Sequence, residues 1–504
     1  MDTLQTIIQT LSEEDKKACI YFIQRQGRKS KRKDVALFRL LDSKQTLGSK
    51  RIQAKLYPEK TKPDAYHALR KRLMRNLTDF ILLKRMGEDT STVSVTMGMI
   101  SLATYLFDQQ ADKLAWRYLQ KAEKLATEHE QYDLLNNIYN LMIEYADREY
   151  AEDLMLTIEK HRQNKALADE DERASIANSV IKLKLREVRL KGIDLNFDQT
   201  IVEVLNQYQL TEAIKQRAKL FFNLMSIARS SVLARKDYFA FEPYIIEHYH
   251  QFEAQVGFAA QQQDYQLQLL YMMAHVTYRN KHFSQSVAYL DDLSAAFSPK
   301  SKGLYTRFYA RHTLLLAANY TFLNRLDEAI GLLEDLLQKP AVPISTKDSL
   351  NAYFNLGIYY VLRQDYRQAV KCVHQIQHSD TWLSKKMGME WVVRKNLSEL
   401  LLQYELGNMD LVLQRLANVE RKYADMIALK EYAKAKTYMY FLKKMASQTE
   451  QVRLPDLYDE IQTLFPFLPF EQEDIQEVFF YAWLKAKALG KAYYEVLLEL
   501  IEQE

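Results

Sequence analysis

"NAYFNLGIYYVLRQDYRQAVKCVHQI", residues 351–376, decides the fold. It reads as two amphipathic helices separated by the polar string Arg363, Gln364 and Asp365. Tyr353, Leu356, Gly357 and Tyr360 recur at helical spacing and share a face of the first helix; Tyr366, Ala369, Val373 and Ile376 do so on the second. So short a connection turns the second helix back antiparallel to the first. Gly357 and Ala369 lack bulk, so the two helices are predicted to approach closely there while larger residues fill the grooves between hairpins.

The unit recurs. The residue opening the second helix of each pair is read at Tyr150, Phe197, Tyr238, Phe283, Leu326, Tyr366, Met409 and Tyr493, with spacings of 47, 41, 45, 43, 40, 43 and 84. The copy at residues 316–340 carries Ala317 and Tyr320 on its first helix and Leu326 and Ala329 on its second. An aromatic, a Leu-Gly pair and a Tyr on one helix, then an aromatic and an Ala on the next, resemble the tetratricopeptide repeat over roughly residues 100–504. The resemblance implies an all-α, right-handed superhelical solenoid of about nine TPR-like hairpins spanning residues 89–504. It also implies a concave face, lined by the first helices, that binds a peptide or protein. The expected array is an open curved rod.

Composition agrees with long helices and short connections: 12 glycines and 9 prolines in 504 residues are few turn formers, and 33 tyrosines supply interior rings. Cys19 and Cys372 cannot form a disulfide framework. The start, "MDTLQTIIQTLSEEDKK", lacks the basic n-region and long apolar core of a secretory signal, and no uninterrupted apolar run reaches membrane-spanning length. The expectation is a soluble cytoplasmic protein with no membrane partner.

Charge is divided unevenly. Met1–Met86 holds 21 Lys and Arg against 9 Asp and Glu, whereas the rest holds 48 against 56. Residues 1–88 are therefore read as a separate basic helical domain. Ser12, three residues before Asp15, forms a capping-box variant, and Gly27 closes that helix. The long last helix, over "KPDAYHALRKRLMRNLTDFILLKRMG", places Tyr66, Leu69, Leu73, Leu77 and Phe80 on one face. His67, Lys71 and Arg75 line another, flanked by Arg70 and Arg72. The string "ALFRLLDSKQTLGSKRIQAKLYPEKTKPDAYHALRKRLMRNL", with Leu56-Tyr57-Pro58 and then spaced Leu and Arg, is similar to the winged-helix head of bacterial transcriptional activators fused to such repeats. That resemblance implies a helix-turn-helix touching nucleic acid through His67, Arg70, Lys71, Arg72 and Arg75. It also implies a β-hairpin wing next in the chain, where only Val93 and Val95 alternate.

Chemistry finds no motif. His374 and His378 stand at i, i+4 without a third ligand, and Gly490 lacks the upstream glycine of a phosphate loop. No catalytic group, cofactor or metal site is expected. Tyr359–Tyr360 and Tyr493–Tyr494 are read as core. The leading reading is a non-enzymatic scaffold binding a peptide or protein partner on the concave face. The alternative is a DNA-binding regulator with a helix-turn-helix head and a TPR-like sensor or assembly domain.

Overall fold

The structure, a computed structural model, describes residues 3–11, 13–25, 32–42, 48–58, 63–88, 91–191, 197–235, 241–296, 302–338, 343–429, 432–447, 454–465, 467–470 and 473–502. Ser12, Gly27 and Tyr238 lie outside these. Among the described residues every regular element is helical, so the all-α expectation holds. The chain divides into two compact units, Met1–Glu172 and Arg173–Glu504.

The first unit begins with α1 (Thr3–Thr10), α2 (Glu13–Arg25), α3 (Arg32–Asp42), α4 (Ser49–Leu56) and α5 (Pro63–Glu88). Helices α3 and α5 pack together and α1, α2 and α4 pack around them. The predicted stripe on α5 is the heart of this core: Tyr66, Leu69, Leu73, Leu77 and Phe80 are all buried, against Leu4, Ile8, Ile23, Leu37 and Phe38. A second core follows in α6 (Thr92–Asp108), α7 (Asp112–Glu128) and α8 (Tyr132–Glu144), around Phe107, Trp116, Leu119 and Ile138. Val93 and Val95, read as a trace of a wing, lie in α6. Ser91 caps that helix, its Oγ accepting from Ser94 N–H at 3.3 Å, so the segment has helical and not strand chemistry. Helix α9 (Leu154–Lys191) is 38 residues long and carries the boundary between the units.

The second unit continues with α10 (Phe197–Gln207), α11 (Thr211–Gln216), α12 (Ala218–Arg235), α13 (Phe241–Gln255), α14 (Gln263–Arg279), α15 (Phe283–Ala295), α16 (Lys302–Phe322), α17 (Leu326–Gln338), α18 (Thr346–Leu362) and α19 (Tyr366–Gln375). It ends with α20 (Asp380–Met387), α21 (Met389–Glu405), α22 (Met409–Lys422), α23 (Ala424–Ile427), α24 (Ala433–Ser447), α25 (Leu454–Leu464), α26 (Ile475–Leu489) and α27 (Tyr493–Glu502). From α14 to α19 each helix packs on its successor, and α14, α16 and α18 also pack on one another in sequence. Phe197, Phe283, Leu326, Tyr366, Met409 and Tyr493 each open a helix as the spacing predicts. Tyr150 does not: it sits in a turn at φ +78°, half exposed, and the next helix starts at Leu154.

One turn closes most hairpins, and composition alone does not announce it. Gln110, Glu130, Gln209, Lys281, Asn324, Gln364, Gly407 and Gly490 are left-handed, at φ between +51° and +78°. In each case the following residue's N–H reaches back five residues to a helical carbonyl, at 2.8–3.1 Å, from Ala111 to Leu106 through Lys491 to Ala486. This is the Schellman closure, which satisfies carbonyls that the helix end would otherwise orphan. Only two of the eight positions are glycine, which explains how so glycine-poor a chain turns so often.

The small and aromatic residues of these hairpins lie in or against one core. Leu356, Gly357, Tyr360, Ala369, Ala317 and Ala329 are buried, while Tyr353, Tyr320 and Tyr366 are half-buried against the same core. The Arg325 guanidinium lies over the Tyr320 ring at 3.7 Å. A methyl group on Gly357 would stand 3.5 Å from Cys372 Cβ, an ordinary contact, so the helices come close there without requiring a glycine.

The open array fails at its C-terminal end. Helix α27 packs on α16, with Tyr494 Oη donating to Thr321 O at 2.9 Å. Lys281 Nζ donates to Glu473 O at 2.6 Å, and Phe479 meets Phe322 at 5.4 Å between centroids. The last hairpin therefore returns onto the middle of its own unit, and one continuous core joins Phe283 to Leu500.

Candidate functional site

That return walls a cavity of about 480 Å³ inside the second unit, within the size range of small-ligand sites. Alternate helices each give it a stripe at i, i+4, i+7 spacing: Tyr271, His275 and Tyr278 from α14, Arg311, Leu315 and Ala318 from α16, Asn351, Asn355 and Ile358 from α18. Helix α21 adds Arg394 and Ser398, α12 adds Arg229, and the returning α26 adds Phe479 and Phe480.

The charged part of the lining is mostly cationic. Arg229, Arg279, Arg311 and Arg394 face it. Lys395 also lines it but is neutralised by Glu399 at 2.8 Å. The remaining acid, Asp348, accepts from the capping hydroxyl of Ser345 at 2.7 Å. Arg311 and Arg394 make no ion pair among the described residues, and the Asn355 amide makes no hydrogen bond among them, whereas Asn351 accepts from Trp391 Nε1 at 2.9 Å. Burial together with the Arg229 and Arg279 guanidinia holds His275 well below its ordinary value, so its imidazole is neutral. Burial pushes the Tyr278 phenol up to about 12. Burial lowers Arg394, and the neighbouring Arg279 charge lowers it further, while Asp474 and Glu390 oppose this. The cavity thus gathers like charge in a partly dehydrated place, where Coulomb interactions are strongest.

The head residues divide. His67, Lys71 and Arg75 are exposed along one face of α5. Arg70 is half-buried, its Nη1 3.5 Å from Tyr66 Oη and its guanidinium 5.7 Å from that ring. Arg72 turns inward. Its Nε donates to both oxygens of Asp34, at 3.0 and 2.9 Å, and its Nη2 lies 2.9 Å from Oδ1. Asp34 is fully buried, so this guanidinium is occupied by the head's own core. His374 and His378 are exposed, and His378 stacks on Trp382 at 3.9 Å. Among the described residues no three His, Cys, Asp or Glu side chains gather to hold a metal. Nor is any helix among them long and apolar enough to cross a membrane.

The sequence reading passed over the cavity. Its available signal was the recurrence of arginine on otherwise apolar first helices, at Arg229, Arg279, Arg311 and Arg394. Compared with known proteins, the chain matches no family model and no curated protein.

Proposed function

We propose that the chain is a non-enzymatic interaction scaffold. Its second unit is read as a right-handed, TPR-like solenoid that receives a segment of a peptide or protein partner. The observation that carries this is the cavity itself, built from the same face of helices α14, α16 and α18 and offering both amide and aromatic groups. Repeat arrays bind through such aligned faces, with each hairpin contributing a few side chains. The test fills the space. Ala318→Trp places an indole in the cavity without removing a charge. A photo-crosslinker substituted at Tyr353, on the cavity wall, is expected to capture a defined partner that an excess of unlabelled partner displaces. Ala318→Trp should abolish capture while the far-UV melting curve is kept. Undiminished capture by a folded Ala318→Trp protein rejects the cavity as the docking site.

A second reading has its own observation: the exposed row His67, Lys71 and Arg75 on a helix of 26 residues. A helix of that length fits a major groove, and each phosphate neutralised adds to the salt dependence. The full chain titrated with duplex DNA should lose affinity steeply between ~50 and ~200 mM salt, and Lys71→Glu with Arg75→Glu should flatten that slope by about two charges. A salt-independent or absent signal, unchanged in the double variant, removes the regulator reading.

A further inference from the structure

We infer that the cavity of the second unit receives a phosphate monoester dianion carried on an aromatic or similarly flat apolar group. The inference rests on the cavity being the binding site and names the chemistry that it selects.

Charge comes first. Four arginines line the space together with Lys395 and two acids, of which Glu399 is paired with Lys395. Arg311 at the exposed edge and Arg394 within have no ion-pair partner among the described residues. The carboxylates nearest Arg394 in charge terms, Asp474 and Glu390, line a separate recess of about 80 Å³ that Arg394 also reaches. A monoanion would leave one of the two guanidinia, Arg311 or Arg394, unmatched. A phosphoryl dianion offers three acceptor oxygens and matches more than one planar guanidinium, which forks onto phosphate where lysine acts only as a point charge.

The neutral lining points the same way. His275 is held uncharged, so it can give or take one hydrogen bond without adding to the repulsion. Asn355 presents an amide that is unused among the described residues. The walls beside these groups are rings: Tyr271, Tyr278, Phe354 and Phe479 suit a flat apolar body. At about 480 Å³ the space holds one phosphorylated ring and not a folded element.

Two sources could present that group: a phosphorylated side chain on a peptide, or a free small ester. The experiment uses the full chain and calorimetric titration with phenyl phosphate, benzoate, phenol, a phosphotyrosyl pentapeptide and its unphosphorylated twin. Phenyl phosphate is expected to bind at least about ten-fold tighter than benzoate or phenol and to be displaced by inorganic phosphate. Arg394→Gln and Arg311→Gln should each weaken it about ten-fold or more, and Arg394→Lys should recover only part, because the charge returns without the fork. A phosphopeptide that is much tighter than phenyl phosphate assigns the peptide source; equal affinities assign the free ester. If a variant does not fold, hydrogen exchange on the wild-type chain decides: phenyl phosphate should protect α16 and α18. Equal binding of benzoate and phenyl phosphate, no binding of either, or protection elsewhere overturns the inference. Partner capture that Ala318→Trp blocks, alongside such a failure, would leave the scaffold reading standing.

Discussion

Replacing Glu405 by alanine is expected to destabilise the second unit by about 3 kcal/mol, within the range for breaking a buried ion pair. Glu405 ends α21, and its side chain is nearly buried. One carboxylate gathers donors from three directions. Trp483 Nε1 donates to Oε1 at 2.6 Å, Lys487 Nζ donates to Oε2 at 2.8 Å, and Tyr366 Oη donates to Oε2 at 3.1 Å. Trp483 is fully buried, so without Glu405 its N–H has neither protein acceptor nor water, a penalty of about 1–3 kcal/mol. Lys487 is a third exposed and can rehydrate, which keeps the sum below the upper limit for buried pairs. Burial, reinforced by the nearby Glu405 charge, pushes the Tyr366 phenol up to about 12, so that hydroxyl remains a donor at neutral pH. Urea unfolding followed by tryptophan fluorescence checks the value. Glu405→Gln keeps an acceptor for Trp483 and should cost roughly half as much. A loss under about 1 kcal/mol for the alanine variant would mean that the three donors find other acceptors.

The same contact bears on the cavity. Trp483 and Lys487 belong to α26, whose Phe479 and Phe480 form one cavity wall. Glu405 therefore fastens the returning hairpin to α19 and α21, and loosening it should weaken ligand binding and stability together. Arg311→Gln should weaken ligand binding alone. That contrast separates a residue that builds the wall from one that meets the ligand.

What was legible in the sequence follows physical range. Phe283, Leu326, Tyr366, Met409 and Tyr493 open helices because each hairpin repeats one local packing problem, and local problems leave periodic traces. Tyr150 misled because its ring resembles those markers while its backbone is left-handed. The true helix start is announced by Asp153, whose Oδ1 accepts from Met155 and Leu156 N–H at 2.8 and 3.0 Å. The spacing of 47 from Tyr150 to Phe197 matches one repeat in length, but much of it is the single helix α9. The return of α27 onto α16 joins Tyr494 to Thr321, a separation of 173 residues, and no helical period encodes such a meeting. The cavity is the product of that return, so its arginines look in sequence like scattered surface charge. Arg72 shows the reverse error: one position from Lys71 in a basic run, it faces a different neighbour because successive residues on a helix diverge by about 100°.

Arg72→Ala is expected to destabilise the head by about 3 kcal/mol, because it strands an ionised carboxylate among apolar side chains. Asp34 is fully buried, and Arg72 grips both of its oxygens from the facing helix α5. Arg72 itself keeps about a third of its side chain in water, so the pair is anchored at the edge of the core and the cost falls at the low end of the buried-pair range. Hydrogen exchange of α3 and α5 amides in the full chain reads the loss where it occurs. Joint replacement, Asp34→Leu with Arg72→Leu, should recover much of it, because removing both partners leaves no orphan. The outcome also decides how the basic face is probed. If Arg72 holds the head together, any loss of DNA binding in an Arg72 variant reports unfolding, and only Lys71 and Arg75 are clean reporters of contact. If Arg72→Ala instead leaves exchange unchanged and weakens DNA binding in step with Lys71→Glu, the ion pair is dispensable and Arg72 belongs to the contact face.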